Sequence, residues 1–364
     1  MKQEQLFSGL KVVELAGVLA GPAVGMFFAE LGADVIKVEN KRTGGDVTRT
    51  WKLPVEDPGA PASSYYHSVN WGKQIVFADL SDRNDRSRVI EMISTADVLL
   101  VNFKPGDEQK LDMVSDDLLK MFPRLIIGRI SGFGLDDPRP AFDAVLQAAS
   151  GFMSLNGEPG GTSLKMPVAL IDVISAHQLK EALLIALLHR ERTGFGSLVD
   201  VSLYDAAIVS LMNQSSAWLN TGVVPQKQGS LHPNIAPYGE TFECADGKEV
   251  LLAVGTDQQF EKLLLVINQP QLMGDVRFAT NTNRLLNRNE LIAILRAAFK
   301  TKSSEEWLHY LHEQKIPGAA VQTIDQVFAT GKNRHLILEQ VEQDGGVSKR
   351  CKTIAFKIHG TDIA

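Results

Sequence analysis

One candidate for chemistry is a lone carboxylate in an apolar run, Asp172 within Val168-Ala169-Leu170-Ile171-Asp172-Val173-Ile174. An acidic side chain in such company needs compensation for its lost hydration. Its place just ahead of a strongly helical segment gives two readings. As an N-cap it would satisfy free backbone N–H groups. As a poorly hydrated anion, kept charged by the positive end of the helix, it would be a nucleophile toward an acyl group. Position alone favours the cap.

Two further stretches have suitable residue types. Ala16-Gly17-Val18-Leu19-Ala20-Gly21-Pro22 puts glycines where backbone can approach a ligand, and the helix that follows offers N–H groups to a phosphate. It lacks the three-glycine dinucleotide spacing, and a turn built for packing explains it equally well. Asn102-Phe103-Lys104-Pro105-Gly106 joins an amide, an aromatic face and a cation. That set could hold a purine by stacking and hydrogen bonding, with Lys104 or Lys110 near a phosphate. A polar turn closed by Pro-Gly is the alternative. His177, one turn past Asp172, reads as facing a neighbouring helix. The sequence has no Ser-His-Asp order, HExxH or Walker-type loop.

The elements that would position these residues alternate between strand and helix. Leu10–Leu15 is a short apolar strand, Ala23–Leu31 is helical after Pro22 in the first turn, and Gly32 suits the helix end before a second strand, Asp34–Glu39. Strand-like segments recur at 76–80, 97–101 and 125–130, with a helix at 86–94. The pattern predicts a doubly wound α/β sheet, in which ligands bind beyond the carboxyl ends of the strands. Ser175–Arg192 is the strongest helix, apolar on every face from Ala182 to Leu188, so it is expected to be buried on most sides. A Gly-, Pro- and Gln-rich stretch near 222–237 reads as a linker. These features give a large Rossmann-like domain over 1–221, a linker and small α+β domain over 222–330, and a return to the large domain over 331–364.

The chain has 364 residues, 44% hydrophobic and 22% charged, with ample material for a core and no sign of wholesale disorder. A net charge of −6 argues against a generic nucleic-acid or membrane-surface binder. Two distant cysteines, Cys244 and Cys351, suit a reducing compartment and exclude a cysteine-rich zinc site. No signal-like leader or membrane-spanning apolar run is present, so a cytoplasmic protein with no metal is expected.

Taken together, the ordered segments resemble the family III CoA-transferases, or CaiB–BaiF family, of which formyl-CoA:oxalate CoA-transferase is the best known type. The matching stretches are 9–15, 20–22, 31–39, 102–106, 130–134, 142–148 and 188–196, in the family's order over roughly the first 210 residues. The resemblance implies an interlocked homodimer, no permanently bound cofactor, and acyl-CoA and small carboxylic acids as substrates. It also implies that Asp172 is the catalytic aspartate, passing through an acyl–aspartyl anhydride and an aspartyl–CoA thioester. By the same carry-over, Val18, Leu19 and Ala20 form the wall near the thioester. Asn102 and Phe103 then form the adenine pocket, and Lys104 and Lys110 contact phosphate.

Departures from the family pattern narrow the expectation. Asn40 stands where some relatives carry an arginine, leaving Lys41 or Arg42 to supply a CoA contact. Leu19 replaces a glutamine beside the acyl group of the formyl-CoA enzyme, which argues against identical substrates. The closing helical segment usual in the family is missing at the C-terminus, and Gln228-Gly229-Ser230 is only a weak counterpart of its glycine-rich loop. A racemase of the same superfamily is the first alternative, disfavoured because Phe142 occupies the position of a proton-carrying histidine. A non-catalytic CoA-binding protein, with Asp172 as a cap, is the second.

Overall fold

Valine-, isoleucine- and leucine-rich segments need cover on both faces, and the chain supplies it by alternating them with helices. The computed structural model describes residues 5–342 and 344–359. β1 (Lys11–Glu14), β2 (Asp34–Asn40), β3 (Gln74–Ala78), β4 (Val98–Val101), β5 (Ile126–Ser131) and β6 (Leu198–Ser202) form one sheet in the order β3-β2-β1-β4-β5-β6. Every neighbouring pair is parallel. Val12 of β1 stands level with Val35 of β2 on one side and Val98 of β4 on the other. This is the doubly wound order, and its direction reverses between β1 and β4.

Helix Ala20–Glu30 joins β1 to β2, Arg83–Ser94 joins β3 to β4, and the long helix Leu170–Thr193 leads to β6. Helix 83–94 starts at a true N-cap, Asp82, whose carboxylate accepts from the Asn84 and Asp85 N–H groups. The long helix begins five residues earlier than the sequence pattern suggests, and it ends at Gly194, whose φ of +84° suits only glycine well. It buries Leu179, Leu183 and Ala186 against helix 20–30 and the sheet. Its other side does not follow the expectation of burial. Leu184, Ile185 and Leu188 are exposed, Ile185 to 68%. The apolar run is wider than the face that the sheet and the helix 20–30 cover.

The chain divides into two units, one comprising residues up to 153, 165–224 and from 333 on, the other 154–164 and 225–332. Residues 154–164, placed in the large domain by sequence, belong to the second unit, where the Gly229 N–H donates to the Gly157 carbonyl at 2.9 Å. That unit carries an antiparallel sheet of β7 (Tyr238–Glu243), β8 (Glu249–Ala253) and β9 (Gly318–Ala320). Helices Asp257–Val266, Arg288–Phe299 and Ser304–Glu313 cover a core in which Phe299 lies between Phe242 and Trp307. The return segment forms a hairpin of β10 (Ile337–Val341) and β11 (Val347–Cys351). No helix among the described residues is long and apolar enough to cross a membrane.

Candidate active site

The reversal between β1 and β4 brings the two predicted turns together at the carboxyl edge of the sheet. Asn102 ties them, its Oδ1 accepting the Gly17 N–H at 3.1 Å and its Nδ2 donating to the Gly17 carbonyl at 3.0 Å. Both polar ends of this amide are engaged by backbone, so Asn102 holds the turn, and one N–H and one oxygen lone pair are left over for a ligand. Val18 follows in a left-handed conformation, φ +72°, and its N–H donates to Asp46 Oδ2 at 3.1 Å. A β-branched residue there stores about 1–3 kcal/mol of strain, stable only where surrounding contacts fix it. Leu19 is the N-cap of helix 20–30 without a side-chain bond, and Ala20 opens that helix. A Cβ on Gly21 would fall 2.4 Å from the Ala16 methyl, so only glycine lets the turn fold back this closely.

Asp172 is buried in the first turn of the long helix and is not its cap. The cap comes from another element. Asp143 Oδ1 accepts the Ile171 N–H at 2.7 Å, and Gln147 Nε2 donates to Asp143 Oδ2 at 2.7 Å. Gln147 Oε1 in turn accepts the Met166 N–H at 2.7 Å, which fixes the approach to the helix. Among the described residues no donor bonds the Asp172 carboxylate and no cation pairs with it. Burial first, and then the negative charge of Asp143, push its acid up to about 7. Both causes act against ionisation, and neither is a feature of the helix end on which the sequence expectation rests.

Tyr65, which sequence reasoning did not single out, lies in the same neighbourhood. Burial and then the charges of Asp172, Asp143 and Asp46 push its phenol up to about 12, and its ring meets Trp51 edge-on at 5.1 Å. His177, expected against a neighbouring helix, is exposed.

The carboxyl ends of β1 to β4 also frame a cavity of about 580 Å³. Its lining includes Asn40, Arg42, Thr43, Ser81, Phe103 and Lys110. Arg42 reaches Ser81 Oγ at 3.4 Å, and Lys110 pairs with Asp107 at 3.2 Å. Lys110 is among the lining residues, and Lys104, next to Phe103 in the chain, is exposed and not among them. Val18, Leu19 and Ala20 also stand outside it.

The model of CoA-transferase family III matches residues 7–363. The chain belongs to this family. The transferase is 36% identical over 354 residues to the succinate–glutarate CoA-transferase of Agrobacterium fabrum, covering 95% of this chain and 88% of that one. It is 36% identical over 315 residues to the acetyl-CoA:oxalate CoA-transferase of Acetobacter aceti, covering 85% and 79%. A CaiB/BaiF family protein from Brucella suis has the same fold, with a TM-score of 0.84 at 36% identity over 98% of this chain and 93% of that one. The chain is thus an enzyme, a family III CoA-transferase, and its α/β fold with a parallel central sheet is the family's. Its substrates are CoA thioesters and carboxylic acids.

Sequence reading of the transferase missed two sets of residues. Asp143 lay within a matched segment, but nothing local says that it caps a helix that starts 27 residues later. Glu14, Lys37, Asp46 and Lys73 form a buried charge cluster under the turn at 16–22. Its signals were Lys37 inside Val35-Ile36-Lys37-Val38 and Glu14 inside Val12-Val13-Glu14-Leu15, each a charge between apolar strand residues.

Proposed function

We propose that the transferase moves CoA from succinyl-CoA to a small dicarboxylic acid with Asp172 as the nucleophile. The observation that carries this reading is the state of that carboxylate: buried, without a hydrogen-bond donor among the described residues, and relieved of capping by Asp143. A carboxylate whose acid has a pKa near 7 is more basic than an ordinary one, and roughly half of it is ionised at neutral pH. An Asp172 oxygen attacks the thioester carbonyl, the C–S bond breaks, and CoA leaves as thiolate with an acyl–aspartyl anhydride behind. The thiolate attacks the aspartyl carbonyl and expels the donor acid as its carboxylate, giving an aspartyl–CoA thioester. The acceptor carboxylate then attacks that thioester, and the released thiolate attacks the acceptor's acyl carbon, which regenerates Asp172. Each step exchanges one anion for another, so no proton need be moved.

The cavity at Phe103 suits the adenosine end of CoA. Its volume is of the right order for a nucleotide fragment, Phe103 offers a stacking face, and Arg42 and Lys110 offer cations for phosphate. Arg42 takes the part expected of an arginine at Asn40. Val18, Leu19 and Ala20 form the wall along the thioester. The choice of succinyl-CoA and a dicarboxylate rests on the names of relatives, which include two succinyl-CoA:glutarate enzymes, from Mus musculus and Homo sapiens, each about 30% identical to this chain. A second copy of the chain covers the exposed side of the long helix, since a stripe of Leu184, Ile185 and Leu188 is more apolar than a solvated helix face carries.

The experiment is a mass measurement. Incubation with succinyl-CoA is expected to leave a CoA-sized adduct on the peptide containing Asp172, and Asp172→Asn is expected to abolish both adduct and turnover. Full turnover by Asp172→Asn would exclude the mechanism.

A further inference from the structure

Beneath the turn at 16–22 lie four charged side chains, none of which takes part in the acyl transfer described above. Lys37 Nζ stands 3.0 Å from Glu14 Oε1 and 3.0 Å from Asp46 Oδ2, and it donates to the Ala16 carbonyl at 2.9 Å. Lys73 Nζ stands 2.7 Å from Glu14 Oε2 and donates to the Pro22 carbonyl at 2.8 Å and to Asn70 Oδ1 at 3.0 Å. All four are buried, Glu14 and Lys37 almost completely. Helix 20–30 makes room for them. A Cβ on Gly25 would fall 1.8 Å from Glu14 Oε2, so a glycine sits inside a helix, where it is unfavourable on its own account.

Buried ion clusters roughly break even for stability against well-packed apolar residues, and in some proteins what they supply is one fixed geometry. The geometry fixed here is that of the turn. Lys37 holds Ala16, Lys73 holds Pro22, Asn102 holds Gly17 from both sides, and Asp46 holds the Val18 N–H. Asp46 is itself anchored. Glu39 Oε2 accepts its N–H at 2.9 Å while Arg49 and Tyr66 bind the same Glu39 carboxylate, and Thr48 donates to Asp46 Oδ1 through both N–H and hydroxyl. Between these ties sits Val18, in a conformation that a valine avoids when free.

We propose that Asp46, held by Lys37 and Glu39, is a positioning residue for CoA transfer: its bond to the Val18 N–H keeps the left-handed backbone that sets the 18–20 wall against the thioester. The inference rests on the proposed place of that wall. It makes Asp46 necessary because residue 18 is valine; with glycine there, the same backbone conformation forms without help.

A double-mutant cycle tests this, with wild type, Asp46→Asn, Val18→Gly and the double variant assayed on the donor and acceptor of highest turnover in a panel of acyl-CoAs and acids. Asp46→Asn, whose single amide oxygen cannot serve both the Val18 N–H and the Thr48 donors, is expected to lower kcat about tenfold or more, as displaced reacting groups do, while the Kd of free CoA by calorimetry moves less than about threefold. In the Val18→Gly background the same substitution is expected to cost less than about threefold in kcat. An equal loss in both backgrounds, or a parallel loss of kcat and CoA affinity, overturns the proposal. If D46N is insoluble alone but soluble with V18G, the coupling to Val18 stands, whereas insolubility in both backgrounds makes the role structural and overturns it. The cycle is read on turnover and CoA affinity, so a missing adduct at Asp172 would sink the nucleophile assignment without deciding this one.

Discussion

Asp143 Oδ1 accepts the N–H of Ile171, the residue before Asp172, at 2.7 Å, and the charge on Asp143 is second only to burial in raising the Asp172 acid. One carboxylate thus frees the other from capping and also makes it more basic. Asp143→Asn should keep an acceptor for the Ile171 N–H but lose the charge and turn a donor toward Gln147. The acid limb of the pH–rate profile is expected to move to lower pH, with a loss of about 1 kcal/mol in stability from the weakened cap. An unmoved limb in a folded variant would remove Asp143 from the electrostatics of the site.

For the wild type the pH dependence has a definite sign. The nucleophile is the ionised form, and burial pushes the Asp172 acid up to about 7. Activity should rise with pH through that value and fall about tenfold per unit well below it. Initial rates between pH 5 and 9 check this; a limb centred near an ordinary aspartate value would mean that the carboxylate is better solvated in the working enzyme.

The same shift has a cost in stability. A folded-state pKa raised above the unfolded value of about 3.9 gives stability that is full below that value and is lost as pH rises through about 7. Above pH 7 the buried anion costs at most about 4 kcal/mol. Asp172→Asn should therefore melt at a higher temperature than wild type at pH 8, with the gap closing toward pH 4. Calorimetry at both pH values decides it, and a gap independent of pH would show that burial is not the cause.

The side of the long helix that bears Leu184, Ile185 and Leu188 predicts an oligomer. Sedimentation should give the mass of two chains, and Ile185→Glu should produce a slower species or aggregation at the same concentration. A monomeric wild type would leave this side unexplained by self-association.

Much of the architecture was legible because it is written in local patterns. Val12-Val13 and Val98-Leu99-Leu100-Val101 read as buried strands, and Pro22 and Gly32 bracket a helix at the places where each is tolerated. Asp172 was visible for the opposite reason, as an exception to its apolar surroundings. What stayed hidden depends on partners distant in sequence. Asp143 caps a helix from outside it, Asn102 turns its amide onto a glycine 85 residues earlier, and Lys37 meets Asp46 only through the fold. The upward shift of the Asp172 acid was hidden on similar grounds: the helix end is a local feature, but desolvation and the Asp143 charge are set by packing.

The two neighbours Phe103 and Lys104 separate binding from mere proximity. Phe103 lines the cavity of about 580 Å³ together with Arg42 and Lys110, whereas Lys104 is exposed and not part of its lining. Phe103→Ala should weaken CoA binding by about 1 kcal/mol, close to fivefold, through lost stacking. Lys104→Ala should leave the affinity within about twofold, since an exposed cation on a flexible stem contributes little unless it is held at its target. Arg42→Ala should weaken binding more at low salt than at high salt, because a phosphate contact is screened by ions and stacking is not. Calorimetric titration of the three variants with CoA at two ionic strengths gives the comparison. A larger loss for Lys104→Ala than for Phe103→Ala would move the CoA site out of this cavity.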